Sequence, residues 1–462
     1  MRGSRGSRLG VAMIAALIVF ATGAPSSGAA TFSWMPGYDE PTTPDGLDKV
    51  GVLKEGPADA RKILILVPGT SGGAGYLEPV ARDIAGKAKD WQVWSVERRE
   101  NLFEDHSMAD RVKRGEATAQ QLFDYYLGWF TNPSVTEHYA LSLGGPPYTR
   151  RWGMRVAVED LKRVVDEARR NSREVVLAGH SLGGSIATAY ATWDFGGRAG
   201  GEDLSGLVLV DGASGPPSLT ADQATQALQA LQGESPWLTF GGIPPPFAGL
   251  FNIVGSGLAK AAPNSASILQ GWPLLPAFLR PSVPVTNEAG YGFGLDTETS
   301  PPALAAAQVH AGRLAASGDP RGWDPAGELS PIQRVADMFF GTGLPGLDGT
   351  AWFHPRRLTL DSGAVGAGIA NPAQQVLDVD ATHGRDLEDL PVYAFGAALG
   401  GQRVLDAAQL LADQSEIRRQ RLTLVNRGDT YAHVDPFAAA PQNDFVDTLL
   451  PFLKKTKKVK NR

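Results

Sequence analysis

Gly179-His180-Ser181-Leu182-Gly183 constrains this chain more than any other stretch, because of where it falls. It follows the apolar run Glu174-Val175-Val176-Leu177-Ala178 and precedes a string of small residues, Gly184-Ser185-Ile186-Ala187-Thr188-Ala189. That order predicts a buried strand, a sharp turn and a helix. The bare G-x-S-x-G pattern says little in a chain with 55 glycines among 462 residues. In a strand–turn–helix setting it says much more. Such a turn holds the serine in a strained backbone geometry with its hydroxyl above the sheet edge. The flanking glycines are needed where strand and helix backbones come too close for side chains. The positive end of the helix dipole faces the same point.

The rest of the chain supplies the sheet that this turn requires. Lys62–Val67 is continuously apolar, as a strand buried on both faces should be. Trp91–Val96, Leu204–Val210, Leu390–Phe395 and Arg421–Val425 read as further strands, and Val50–Leu53 as an edge strand. Helical spacing appears between them, around Leu77–Ala85, Arg155–Arg170, Leu405–Ala412 and Asn443–Leu453. Strands alternating with helices imply a mainly parallel central sheet flanked by helices, with ligands at the carboxyl ends of the strands. Residues 213–389 break the alternation with Pro-rich apolar pieces, such as Gly241–Phe247 and Gly271–Pro276. This insertion is expected to act as a cap or lid over the site, with Trp237, Phe247 and Trp272 as candidate walls for an apolar substrate. The core is then 31–212 plus 390–453. Within 97–150, Tyr125, Tyr126, Trp129 and Phe130 read as core or lid packing.

A serine at such a turn needs a base, and the base needs an orienting carboxylate. With the serine on this kind of turn, chain order is serine, acid, histidine. Of the seven histidines, His106 and His138 come too early, and His180 adjoins the serine and should point away from its hydroxyl. His310, His354 and His383 fall in the insertion. His433 lies in the loop after the last strand, where the base belongs. The acid has two candidates. The loop after Phe395 runs Gly396-Ala397-Ala398-Leu399-Gly400-Gly401 and offers no carboxylate before Asp406. Asp211, at the carboxyl end of the preceding strand, is preferred by position and Asp406 is the alternative. Two backbone amides should receive the oxyanion, those of Leu182 and of Thr70 in Pro68-Gly69-Thr70.

Ile63–Thr70, the turn 179–183 and the loop holding His433 resemble the α/β-hydrolase fold serine hydrolases of the carboxylesterase and lipase kind. The resemblance covers residues 50–212 and 390–453. It implies cleavage of small-molecule or lipid esters through an acyl-enzyme on Ser181. The missing acid after Phe395 departs from that family's commonest pattern. An acyltransferase would use the same residues, and a non-catalytic binding protein on this fold would be expected to have lost the serine or the histidine. No metal or cofactor is implied: the chain has no cysteine and no H-E-x-x-H zinc motif, and its glycine-rich stretch 69–75 lacks the lysine of a phosphate-binding loop.

Charge and the chain ends bear on where the protein works. Arg2, Arg5 and Arg8 precede an apolar run, Leu9–Ala21, and small residues ending Gly28-Ala29-Ala30. This pattern predicts a signal peptide over 1–30 and a secreted or extracytoplasmic protein. Cleavage would remove the three arginines and take the formal charge from −6 to −9. An acidic body argues against nucleic-acid binding. The tail 454–462 carries six positive charges, suited to weak contact with an anionic cell envelope.

Overall fold

Residue-by-residue alternation along the central strands builds the core of the molecule. The computed structural model describes residues 29–456 except 143 and 342, so the predicted signal segment and the end of the basic tail lie almost wholly outside the described residues. Among the described residues ten strands form: β1 Thr31–Pro36, β2 Lys49–Glu55, β3 Lys62–Val67, β4 Trp91–Glu97, β5 Glu174–His180, β6 Gly206–Val210, β7 Arg313–Gly318, β8 Arg321–Asp324, β9 Val392–Gly396 and β10 Leu422–Asn426. Eight of them make one sheet in the order β1-β2-β4-β3-β5-β6-β9-β10, and β7 and β8 pair with each other. Strand β2 runs antiparallel to both β1 and β4, and the remaining pairs of the large sheet are parallel.

Because side chains alternate between faces, each central strand feeds two cores. Ile63 and Ile65 of β3 join one core, with Val175 and Leu177 of β5 and Leu207 and Leu209 of β6. Leu64 and Leu66 join the other, with Val176, Ala178, Val208 and Val210. Helices Met154–Arg169, Leu182–Thr192 and Gln402–Gln414 cover the first face. Helices Glu78–Lys87, Ile332–Phe340 and Asp444–Leu453 contribute to the second. Both faces being covered is why these strands read as unbroken apolar runs.

The edge differs from expectation. Val50–Leu53 belongs to β2, which is one strand in from the edge; β1 lies outside it and pairs across Trp34 and Gly51. Half-exposed β1, with its mixed residues Thr31-Phe32-Ser33-Trp34-Met35-Pro36, has no continuous apolar run to announce it.

Residues 213–389 leave the sheet between the adjacent strands β6 and β9. They do not stand alone. Trp237, Trp272, Trp352 and Phe353 from this segment pack with Leu122, Phe123, Tyr126 and Trp152 from the stretch between β4 and Met154–Arg169. Residues 213–389, expected to form a cap, thus share one aromatic core with the stretch before Met154–Arg169.

Candidate active site

Ser181 sits between β5 and helix Leu182–Thr192 with φ 55° and ψ −124°, in the left-handed half of backbone space that non-glycine residues rarely occupy. The close approach around it explains the neighbouring glycines. A Cβ on Gly179 would lie 1.9 Å from the Gly183 carbonyl oxygen, and one on Gly183 would lie 2.2 Å from that of Val67. The turn is tied to the next strand by the Ser181 N–H, which donates to the Val210 carbonyl at 2.9 Å.

Asp211 ends β6 and is buried, with φ 45°. Its Oδ2 meets His433 Nδ1 at 2.6 Å. Four backbone amides converge on the same carboxylate: Ala397 (2.7 Å), Gly400 (2.9 Å) and Gly401 (3.1 Å) on Oδ1, and Leu399 (3.2 Å) on Oδ2. All four come from the loop after β9. That loop has no acid of its own and instead supplies the donors that hold Asp211. Burial alone would raise the Asp211 pKa. The hydrogen bond and charge of His433 and the Ala397 amide outweigh burial and keep the carboxylate below its usual range. Asp406 lies elsewhere, on helix Gln402–Gln414, accepting from the exposed Gln402 side chain at 2.9 Å.

Thr70, Ser181 and His433 line one cavity of about 1260 Å³, open mouth included. Leu182 opens the helix that follows the serine. The loop carrying Thr70 passes directly over Ser181: a Cβ on Gly69 would come within 2.8 Å of the serine Cβ. Buried Arg98 holds this loop from behind. Its guanidinium donates to the carbonyls of Pro68 (3.1 Å), Gly69 (3.2 Å) and Gly72 (3.2 Å), and to Glu100 Oε1 at 2.7 Å. In a planar trans peptide the N–H points opposite to the C=O. The Gly69 carbonyl faces Arg98, so the Thr70 N–H faces away from it.

Two histidines that are not candidates for the base hold the site together. His180 Nδ1 meets the Tyr76 hydroxyl at 2.9 Å, and His180 Nε2 meets the His433 carbonyl at 3.0 Å. The Gly69 N–H donates to the same tyrosine oxygen at 2.9 Å. Burial, then repulsion from His433, hold His180 well below the usual histidine pKa, so the ring is neutral. Its Nε2–H then donates to His433, and Tyr76 donates to Nδ1. The loop above the serine, the serine turn and the His433 loop are thus linked through one tyrosine and one imidazole. His180 lines the cavity rather than turning wholly away from it. His354, also neutral through burial and the charge of Arg98, accepts the Ser71 N–H at 3.3 Å and bonds Thr359 Oγ1 at 3.0 Å. Sequence spacing could exclude these histidines as bases but carried no sign of the bonds they make across the fold.

Most of the cavity's apolar wall comes from residues 213–389, with Phe240, Ile243, Phe251, Leu258, Leu269 and Leu295 among them. Trp237, Phe247 and Trp272, the expected wall residues, are not among them. Trp237 and Trp272 are buried in the aromatic core of the cap, and Phe247 packs on Phe130 and Phe251. Composition singled out the right segment and the wrong side chains, because the largest aromatics are needed to hold the cap itself. Tyr126 is fully buried in the same core, and Trp129 and Phe130 stack on each other.

The strand order, the antiparallel β2, the serine turn after β5 and the histidine loop after the last strand together define the α/β-hydrolase fold. No family model matches the sequence, and no curated protein does. Among solved structures, the chain is similar to a candidate lipase from Sulfolobus solfataricus, at 15% identity over 94% of this chain and 97% of that one, with a TM-score of 0.47. It is similar to epoxide hydrolase A from Mycobacterium thermoresistibile at 13% identity, over 93% and 100% of the two chains, with a TM-score of 0.43. A thioesterase domain from the curacin biosynthetic pathway matches at 13% identity over 92% and 100%, with a TM-score of 0.39.

Proposed function

We propose that the protein is a serine hydrolase that cleaves carboxylic esters bearing an apolar acyl group. The observation that carries this reading is the buried 2.6 Å contact of His433 Nδ1 with an Asp211 carboxylate held by four backbone amides, in a cavity that Ser181 and His433 share. A carboxylate so held fixes the imidazole tautomer with Nε2 free to accept a proton. Ser181 Oγ attacks the acyl carbon as His433 Nε2 takes the serine proton. The oxyanion rests on the N–H groups of Thr70 and Leu182, preorganised by Arg98 and by the helix that begins at Leu182. Collapse expels the alcohol, which leaves with the proton from His433. Water then repeats the sequence on the acyl-enzyme and releases the acid.

The apolar walls support an acyl chain rather than a polar group as the bound part of the substrate. Leu274 and Phe278 are exposed at 53% and 44%, each next to a cavity-lining leucine, Leu275 and Leu279. Such a pair suits a substrate delivered from an apolar aggregate or a lipid surface. Among the described residues no helix is long and apolar enough to cross a membrane. Export directed by residues 1–30, and weak attraction of the tail 454–462 to an anionic envelope, belong to the same proposal.

The test is fluorophosphonate labelling of the wild-type chain and of Ser181→Ala, with a panel of p-nitrophenyl esters of increasing acyl length. Labelling at Ser181 and hydrolysis favouring longer chains is the expected result. Absence of both in folded protein overturns the reading. Repeating the assay with an added alcohol acceptor separates hydrolysis from acyl transfer.

A further inference from the structure

We propose a structural zinc site formed by Glu104, His106 and Asp348, which clamps the cap to the loop above Ser181. These three side chains are outside the catalytic cavity and have no part in the proposed mechanism. Glu104 and His106 follow β4, whereas Asp348 comes from the large insertion. Their ligand atoms all lie within 4.8 Å of one another. His106 Nε2 stands 3.3 Å from Glu104 Oε2 and 3.4 Å from Asp348 Oδ2.

Two observations point to a metal. The first is directional. The His106 side chain is only 8% exposed, and its Nε2 has no hydrogen-bond partner although both carboxylates are in ion-pair range. A buried ring nitrogen 3.3–3.4 Å from two carboxylate oxygens, with a hydrogen bond to neither, leaves a place between them for an ion. The second is metric. Zinc binds imidazole nitrogen and carboxylate oxygen at about 2.0–2.2 Å with tetrahedral angles, which places neighbouring ligand atoms about 3.3–3.5 Å apart. The two His106 separations match that spacing.

The surrounding groups orient the ligands as an outer shell would. The Trp352 N–H donates to Glu104 Oε1 at 2.7 Å, the Thr350 N–H to Asp348 Oδ1 at 2.6 Å, and the Trp352 indole N–H to Asp348 Oδ2 at 2.9 Å. The same short segment binds the loop over the serine. The Gly73 and Gly75 N–H groups donate to the Gly349 and Asp348 carbonyls at 3.0 Å, and the Ala351 N–H to the Ser71 carbonyl at 2.9 Å. A metal here would therefore fasten the segment that backs the Thr70 loop. With no cysteine in the chain, it is a cross-link a disulfide cannot supply.

The site stands independently of the hydrolase reading, so its test is scored on metal and stability. The chain would be purified without a histidine tag, in chelator-free buffer, and its metal content measured by inductively coupled plasma mass spectrometry. It would then be stripped with dipicolinate and titrated with zinc chloride while melting is followed. One zinc per chain is expected as purified. Melting should fall on stripping and recover on adding zinc, by about 3–5 °C for a chain this size at saturating metal. Cobalt in place of zinc should give the visible absorption of a tetrahedral site. Asp348→Asn and Glu104→Gln should each lose the metal. If the variants do not fold, the wild-type cycle still decides. Metal-free protein with melting unmoved by zinc overturns the proposal, as does stoichiometric zinc retained in both folded variants or a response to calcium alone. Fluorophosphonate labelling, run alongside, reports separately on Ser181.

Discussion

In β3, Ile63 and Ile65 enter one core and Leu64 and Leu66 the other; in the cap, Trp152, Trp237 and Trp352 meet from three distant parts of the chain. The first arrangement is decided within six residues by the two-residue period of a strand. The second exists only after two long segments have folded against each other. The proposed chemistry is split in the same way. Ser181, Asp211 and His433 stand on the sheet's carboxyl edge, whereas most of the cavity's apolar wall comes from residues 213–389, and the Thr70 loop is backed both by that segment and by Arg98. Changes to the edge should therefore alter turnover, and changes to the cap should alter selectivity or stability.

The largest effect is expected on the sheet edge. Ser181→Ala should lower kcat for activated esters by on the order of 10⁶, and His433→Ala nearly as much, since the two act as a unit. Circular dichroism should show the folds intact. Activity above one per cent in either variant would break the assignment of the edge as the reacting centre.

Asp211→Asn should cost about 10²–10⁴ in kcat by leaving the imidazole in the wrong tautomer. Asp406→Asn should be close to neutral, because its side chain bonds only Gln402 among the described residues. The reverse ranking would remove Asp211 from the site.

Much of this contrast was legible before any coordinates. Lys62–Val67 and Leu204–Val210 announced themselves because strands buried on both faces tolerate few polar residues. Ser181 and His433 were expected from where turns fall on such a sheet, and Asp211 from its position at the carboxyl edge, with Asp406 as the alternative. What stayed hidden was every relation carried by backbone groups or by segments far apart in sequence. The four amides of residues 397–401 are invisible in Ala-Ala-Leu-Gly-Gly, because any residue type supplies an N–H. Strand β1 is half-exposed and lacks an apolar signature. Tyr76 bonds His180 from 104 positions away in the chain, and His180 bonds the His433 carbonyl from 253 positions away. In the cap, composition located the apolar segment but could not say which aromatics hold it together and which face the cavity.

Between edge and cap lies Arg98, on the sheet side of the Thr70 loop. Arg98→Met should release the Pro68, Gly69 and Gly72 carbonyls and free the peptide of Thr70 to turn. Losing a well-placed oxyanion donor costs about 10²–10³ in kcat. KM should change little, and fluorophosphonate labelling should slow in parallel. A rise in KM with kcat unchanged would mean that Arg98 supports the cavity rather than the reacting centre.

Within residues 213–389, two kinds of apolar side chain can be set against each other. Phe240→Ala and Leu295→Ala, on the cavity wall, should shift kcat/KM between short and long acyl esters by about 1–3 kcal/mol. Trp237→Ala and Trp272→Ala, in the cap core, should instead cost about 3–5 kcal/mol of stability. Their chain-length preference should stay near that of the wild type. Equal behaviour of the two pairs would dissolve the distinction between wall and core.

The smallest expected effect tests the seam where the cap meets the base loop. Asp435, two residues after His433, is fully buried and accepts from the Ala432 N–H (2.6 Å), the His310 N–H (3.0 Å), His310 Nδ1 (2.6 Å) and Ser330 Oγ (2.6 Å). His310 and Ser330 belong to the cap segment. The hydrogen bond to Asp435 raises the His310 pKa above its usual value, against the opposing effect of burial, with further support from the charges of Asp435, Asp296 and Glu298. A histidine whose folded pKa is raised contributes its full stability below the unfolded pKa of about 6.5 and loses it as pH rises through the folded value. The melting difference between wild type and His310→Gln should therefore be largest near pH 5–6 and shrink in mildly alkaline buffer. The imidazole is 38% exposed, so screening keeps the difference to about 1–2 °C. Turnover should stay within about tenfold, since Ala432 and Ser330 still hold Asp435. A difference that grows with pH would mean the pair is held by the neutral imidazole. A collapse of kcat would make the seam part of the catalytic edge rather than of the cap.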